Sequence, residues 1–176
     1  MLNYRYQLLG DGNARLAFAP RLSLLVSSGD HKVGRGFGGN GVQTNLPLSL
    51  VLNRRLVTHF NLGTTFIPNA RNQAGDRAAV HDYNLGQSFI FQANPRFNLM
   101  LETVWAGTET VVAPRQTQRS HQLLFSPGAR WAFDFSNGLQ IVPGIAVPLG
   151  AGPSAGEKGL ILYLSFEHPL WREKEK

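Results

Sequence analysis

The feature that most constrains this chain is a period-two alternation of apolar and polar residues, repeated between turn-like clusters along its whole length. Successive side chains of an extended strand point to opposite faces, so such runs specify strands with two unlike faces and no sustained helix. Nine segments carry the pattern. The first sets Leu2, Tyr4, Tyr6 and Leu8 against Asn3, Arg5 and Gln7, and the second sets Leu16, Phe18, Leu22, Leu24 and Val26 against Arg15, Arg21 and Ser23. The third opposes Leu46, Leu48 and Leu50 to Asn45 and Ser49, and the fourth opposes Phe60, Leu62 and Phe66 to His59, Asn61 and Thr65. In the fifth, Tyr83, Leu85 and Phe89 face away from Asp82, Asn84 and Ser88, and in the sixth Leu99, Leu101 and Trp105 face away from Asn98 and Glu102. The seventh sets Leu123, Phe125 and Trp131 against Gln122, Ser126, Gly128 and Arg130; the eighth sets Ile141, Ile145 and Val147 against Gln140, Gly144 and Ala146. The ninth sets Leu162, Leu164 and Phe166 against Tyr163, Ser165 and Glu167.

The connections alternate in length. Short turns are expected at Gly10–Asn13, Asn53–Arg55, Ala93–Arg96 and Phe135–Gly138, with longer polar loops at Ser27–Gly41, Pro68–Ala79, Gly107–Gln118 and Gly150–Lys158. Short turns on one side and long loops on the other are the layout of outer-membrane barrels. Most segments approach the roughly 9–11 residues that a tilted membrane-crossing strand needs. No run of about 18 apolar residues exists, which excludes a spanning helix and leaves strands to cross any membrane. A soluble exterior of Gly, Ser, Asn and scattered Arg, almost without Lys or Glu, would be unusual. The expected fold is therefore all-β: an antiparallel transmembrane β-barrel formed by residues 1–171, followed by a charged tail at 172–176.

Composition narrows the function classes. The chain has no cysteine, which removes disulfides, thiolate metal sites and cysteine nucleophiles. Its net charge is +6, but the basic residues are scattered and the four lysines lie in expected loops or the tail, whereas a nucleic-acid surface clusters them; no nucleic-acid partner is expected. The first residues lack a basic and then apolar leader pattern, so the chain is either cytosolic or begins downstream of its leader.

With the segments laid out, the chain resembles the outer-membrane β-barrel family labelled for the meta-pathway of phenol degradation, whose members are described as transporters. The resemblance rests on Asn3-Tyr4-Arg5-Tyr6-Gln7, Leu16-Ala17-Phe18-Ala19-Pro20-Arg21, Tyr83-Asn84-Leu85-Gly86-Gln87-Ser88, Leu101-Glu102-Thr103-Val104-Trp105 and Leu139 to Pro148. It spans nearly the whole chain, and its motifs are strand stretches without a catalytic signature. It implies a bacterial outer-membrane location, lipids of that membrane and the barrel-assembly machinery as partners, and a small-molecule substrate that it does not identify. Relative to that family the start is expected to lack strands. Topology gives the same expectation: a ninth strand running toward the periplasm makes the first do so too, which calls for an odd number of further strands in an even-stranded barrel. Three are favoured, making the nine strands the C-terminal part of a twelve-stranded barrel. The aromatic end of the last strand, Trp171, fits an assembly signal.

Lumen-lining candidates are the ionisable residues of the polar faces: Arg5, Arg15, Arg21, His59, Asp82, Glu102 and Arg130. Arg5, His59, Glu102 and Arg130 each lie roughly five residues from a short turn, which predicts a charged belt at one height, with Glu102 and Arg130 as the expected ion pair. No catalytic residue, cofactor or metal site is expected. His31, His59, His81, His121 and His168 lack metal-ligand spacing, and His59 should face away from His81 and His121. Ser120 and His121 are adjacent on a strand and point oppositely, so they cannot act as nucleophile and base. Gly34–Gly41 lacks a following helix and a Walker lysine, so it reads as a loop, with Lys32 and Arg35 able to meet anionic lipopolysaccharide. Tyr83 and Trp105 near the loop side, and Phe91, Phe97, Phe133 and Trp171 near the turn side, suggest the two aromatic girdles of such barrels. Pro20, Pro47, Pro127, Pro143 and Pro148 fall inside expected strands, where each removes a ladder hydrogen bond. The leading function is passive passage of small, aromatic or apolar molecules; the alternatives are a structural or adhesive barrel with a closed lumen and an outer-membrane enzyme.

Overall fold

Alternating segments of this kind can satisfy their backbone groups only by pairing with one another, and the computed structural model, which describes residues 1–11 and 14–168, shows them doing so in one antiparallel sheet. Gly12, Asn13, Trp171 and the 172–176 tail lie outside the described residues. The strands are β1 (Leu2–Arg5), β2 (Leu16–Phe18), β3 (Arg21–Leu25), β4 (Gly41–Asn53), β5 (Leu56–Arg71), β6 (Arg77–Asn94), β7 (Phe97–Ala113), β8 (Gln116–Trp131), β9 (Phe133–Asp134), β10 (Gln140–Ala146), β11 (Leu149–Gly150) and β12 (Ile161–Glu167). Two single-turn 3-10 helices, His31–Val33 and Gly152–Ser154, interrupt the connections.

The nine expected strands appear as twelve stretches. The main path runs β1-β3-β4-β5-β6-β7-β8-β10-β12, with β2 on β4, β9 on β10 and β11 on β8. Prolines explain the division. Register carries straight through each break: Leu16↔Leu50 and Phe18↔Leu48 continue into Arg21↔Asn45, and Leu149↔Phe125 continues into Ala146↔Gly128 and Ile141↔Phe133. The carbonyls of Pro20, Pro47, Pro127 and Pro148 each accept a bond from the facing amide, Tyr6, Ala19, Val147 and Gly159 respectively, and only the reciprocal bond is missing. Pro143, by the same alternation, directs its missing donor at Trp131, where β8 gives way to β9.

Two of the four expected long loops are instead strand. The segment 68–79 is a hairpin with only residues 72–76 outside β5 and β6, and 107–118 narrows to a two-residue turn at Pro114-Arg115. Polar residues alternate there with Ala70, Ala78, Val80 and Val111, which are buried, so each hairpin keeps one covered face despite its polar composition. Arg115 takes the left-handed conformation (φ 61°) that closes the tight turn. The short turns at Arg54-Arg55 and Pro95-Arg96 share one device: Asn53 Oδ1 accepts from the Arg55 amide and Asn94 Oδ1 from the Arg96 amide, both at 2.9 Å.

The sheet rolls toward its polar face. His59 on β5 and Tyr163 on β12 line one recess of about 350 Å³, although five ladder steps separate their strands. In a flat sheet that is roughly 24 Å, so the polar face is concave. The roll does not close: β1 and β12 end the order and do not pair with each other. The buried apolar cluster is small (Ile67, Ala70, Ala78, Val80 and Val111, with Leu25 against it) and sits at the loop-side end. The 26–40 connection docks there, with Arg71 donating its amide to the Phe37 carbonyl at 2.8 Å and Asn40 Oδ1 closing the loop base on the Ser27 amide at 2.9 Å.

Candidate functional site on the concave face

Register assigns every strand residue to a face. One face carries Leu22, Leu48, Phe60, Leu85, Leu101, Phe125, Ile145 and Leu164; the other carries Arg21, Pro47, Asn61, Gly86, Glu102, Ser126, Gly144 and Ser165. Leu62, Leu85, Leu101 and many like them are exposed, although they are large and apolar. Between the Tyr83–Trp105 contact (5.0 Å) near the loop side and the Phe97–Trp131 stack (4.0 Å) near the turns, no Asp, Glu, Lys or Arg of the described strands occupies this face.

Six of the seven ionisable candidates, Arg5, Arg21, His59, Asp82, Glu102 and Arg130, take the concave face by register; Arg15 lies just before β2 and is exposed, with its carbonyl accepting from the Val51 amide at 2.8 Å. They do not form one belt. Arg5 and Arg21 are directly opposed across β1 and β3 and share a recess of about 290 Å³ with Asn45, Pro47 and Asn61. Here the side chains bond to one another. Arg21 Nη2 donates to Gln43 Oε1 at 3.3 Å, which also accepts from Asn45 Nδ2 at 3.2 Å; Gln43 Nε2 donates to Thr65 Oγ1 at 3.1 Å, and Asn61 Nδ2 to Asn45 Oδ1 at 3.1 Å.

His59, Glu102 and Arg130 line the second recess with Ser88, Ile90, Met100, Gly144, Ala146, Ile161 and Tyr163. The expected Glu102–Arg130 ion pair is not made, whereas Arg96–Asp134 and Arg119–Glu109 are. Strand stagger is the reason, since Glu102 lies opposite Ser126, while Arg130 lies opposite Asn98, four residues away along β7. Glu102 makes no hydrogen bond or ion pair with a described residue. Arg130 is held by a neutral partner: with the Asn98 amide turned oxygen-inward, Oδ1 accepts from Arg130 Nε at 3.1 Å and Nη2 at 3.3 Å. His59 Nδ1 and Ser49 Oγ, directly opposed across β4 and β5, lie 2.8 Å apart.

The concave face also carries a row that alternation alone did not single out. Val51, Val57, Ile90, Met100, Gly128, Ala146 and Ile161 face one another in sequence across the strands. This apolar diagonal separates the row of Ser49, His59, Ser88, Glu102 and Ser126 from the row of Asn98, Arg130, Gly144 and Tyr163. The signal was present in the sequence as Val57, Ile90 and Met100 at polar-face positions, but it stands out only when register aligns them.

Asp82 does different work from the other candidates. Past Tyr83↔Gly107 the β6–β7 backbone ladder ends, and carboxylates take its place: Asp82 Oδ1 accepts from the Glu109 amide at 2.7 Å, and Glu109 Oε2 from the His81 amide at 2.9 Å. Arg119 bonds Glu109 at 2.7 Å and lies 4.9 Å over the Tyr83 ring. His81 and His121 pack on Phe66 and Trp105 of the apolar face, opposite to His59, and Ser120 Oγ pairs with Thr108 Oγ1 at 3.0 Å rather than with His121. Among the described residues no three His, Asp or Glu side chains are grouped to hold a metal. No family model, curated protein or solved structure matches this chain.

Proposed function

We propose that the chain forms part of the wall of a bacterial outer-membrane β-barrel through which small molecules pass. The observation that carries the reading is the exposed, uncharged apolar face, bounded by aromatic contacts at both ends. Trp105 and Phe97 are eight residues apart on β7, about 26 Å along the strand and roughly 20 Å after a 40° tilt, near the roughly 25 Å apolar band of such barrels. An arginine turned to lipid near the midplane would cost about 2–4 kcal/mol, which accounts for Arg21 and Arg130 taking the other face. Nine ladder positions are odd in number, and three further strands would bring the two unpaired edges together in a twelve-stranded barrel. The resemblance to the phenol meta-pathway barrels agrees with this reading, as do the outer-membrane location and the assembly and lipid partners it implies. The self-bonded network around Gln43 favours, for that part of the interior, the structural alternative in which side chains fill the lumen.

The test is fractionation of the parent protein with outer membranes, heat-modifiable migration, and solute efflux from vesicles reconstituted with it. Membrane association with size-limited efflux supports passage. A folded barrel that passes no solute leaves the structural reading, and a water-soluble folded protein ends both.

A further inference from the structure

We infer that the Arg130 recess is a binding site for a small monocarboxylate with an apolar body. The inference rests on the concave face being an interior, as proposed above, but concerns what binds there rather than what crosses. Its volume of about 350 Å³ lies at the small end of ligand pockets, which run from about 300 to 1,000 Å³. Three properties select the ligand.

The first is a positioned cation that makes no ion pair among the described residues, with Glu167 standing in the neighbouring recess that Arg130, Asn98 and Tyr163 also line. Asn98 fixes Arg130 through Nε and one Nη2 proton without neutralising it, and leaves the guanidinium's terminal edge free for the bidentate geometry that carboxylates favour. The second is a missing side chain between the two groups. Gly144 stands between Arg130 and Tyr163 on the ladder, and all three line the same recess. With no side chain there, a carboxylate can sit between the guanidinium and the phenol, whose hydroxyl can donate a second bond. The third is the apolar diagonal immediately adjacent: Ile90, Met100, Ala146 and Ile161 line the same recess and can cover a hydrocarbon or aromatic body. Beyond the diagonal stands Glu102, with no hydrogen bond or ion pair among the described residues. A second negative charge on the ligand would meet it, so the site selects one carboxylate and disfavours two.

The probe is 3-phenylpropionate, titrated by NMR into the parent protein refolded in neutral detergent micelles, with 3-phenylpropanol and 3-phenylpropylamine controlling for partition into the micelle. The propionate should bind saturably, at least tenfold more tightly than either control. Arg130→Gln should weaken it about tenfold, Gly144→Val should abolish it by filling the head-group space, and Glu102→Gln should tighten it a few-fold. Arg21→Gln, in the other recess, should leave it unchanged. Heat-modifiable migration of each variant separates lost binding from lost folding. Equal affinity for the propanol, preference for the amine, or indifference to Arg130→Gln in a folded variant would overturn the site. Because micellar binding needs no flux, its failure beside positive efflux rejects this inference alone; binding without efflux rejects passage alone.

Discussion

The five central strands and the two flanks of this sheet share one alternation but not one construction. Strands β4 to β8 run 13 to 18 residues and pair along most of their length, while the flanks are broken into pieces of 2 to 7 residues. The prolines draw the line. Pro47 and Pro127 lie in the long strands β4 and β8, yet their missing donors point outward, to Ala19 and to Val147 just past β10. Pro20, Pro143 and Pro148 are in the flanks themselves. Pro68, in β5, sits at a register shift where no regular bond is expected. The four seams from β4 to β8 thus keep their regular donors, and every seam outside them loses at least one. Regular hydrogen bonding is concentrated in the centre, and the flanks keep the same register with fewer ladder bonds.

The largest effect should come from breaking that division. Thr103→Pro puts a proline in mid-β7, where one amide is lost and the ring is pressed against a bonded neighbour on β6 or β8. An unmet ladder partner costs about 1–3 kcal/mol before the steric term, and the variant should show no heat-modifiable folded band. A folded, heat-modifiable Thr103→Pro would mean that the centre is not the stiffer region. The converse change, Pro143→Ala, should be mild. It restores a bond worth about 0.5–1.5 kcal/mol but gives the unfolded chain back about 0.4–1 kcal/mol of freedom. Net stability should move by less than about 1 kcal/mol, while the amide gained at that position becomes protected from hydrogen exchange. An unprotected amide there would show that something other than proline divides β8 from β9.

How much of this was legible beforehand follows from which physics is local. Face assignment is a property of each strand alone, so Leu62 against His59, or Leu101 against Glu102, could be read directly. Pairing partners are not local: Glu102 and Arg130 stand at similar distances from their turns, but stagger moves Arg130 to Asn98. The same stagger hid the apolar diagonal and joined His59 to a recess that reaches β12. The strand ends at 77–79 and 108–113 resemble loop in sequence, because their buried residues, Ala78 and Val111, are small or few among polar ones and the cover over them comes from segments distant in sequence. The prolines were visible, but their direction depends on which neighbour each amide faces.

The two recesses offer a smaller contrast. Asn45 both donates to Gln43 and accepts from Asn61, so Asn45→Ala should cost about 1–2 kcal/mol in denaturant midpoint analysis. Glu102→Gln removes no contact and should fall within about 0.5 kcal/mol of the parent. Equal losses would mean that Glu102 is bonded in solution and that the second recess is as closed as the first.

The smallest effect belongs to the carboxylate seam at the end of β6 and β7. Glu109 lies four residues beyond Trp105 on the loop side, outside the apolar band. The His81 amide, first, and the Arg119 guanidinium hold its carboxyl below the ordinary Glu value of 4.5, against a desolvation effect in the opposite sense. A carboxyl lowered in the folded state contributes stability that is complete above the unfolded value and is lost as pH falls through the folded one. The seam should therefore keep its strength at neutral pH and loosen only below 4.5, with the His81 amide losing its protection there and exchanging closer to its intrinsic rate. Glu109 is close to solvent, so the local opening should leave the global midpoint almost unchanged. In Glu109→Gln the acceptor oxygen survives without the charge, and the acid-dependent step at His81 should disappear. If the step persists in that variant, another titrating group governs the seam, and Asp82, whose carboxylate accepts from the Glu109 amide at 2.7 Å, becomes the group to replace next.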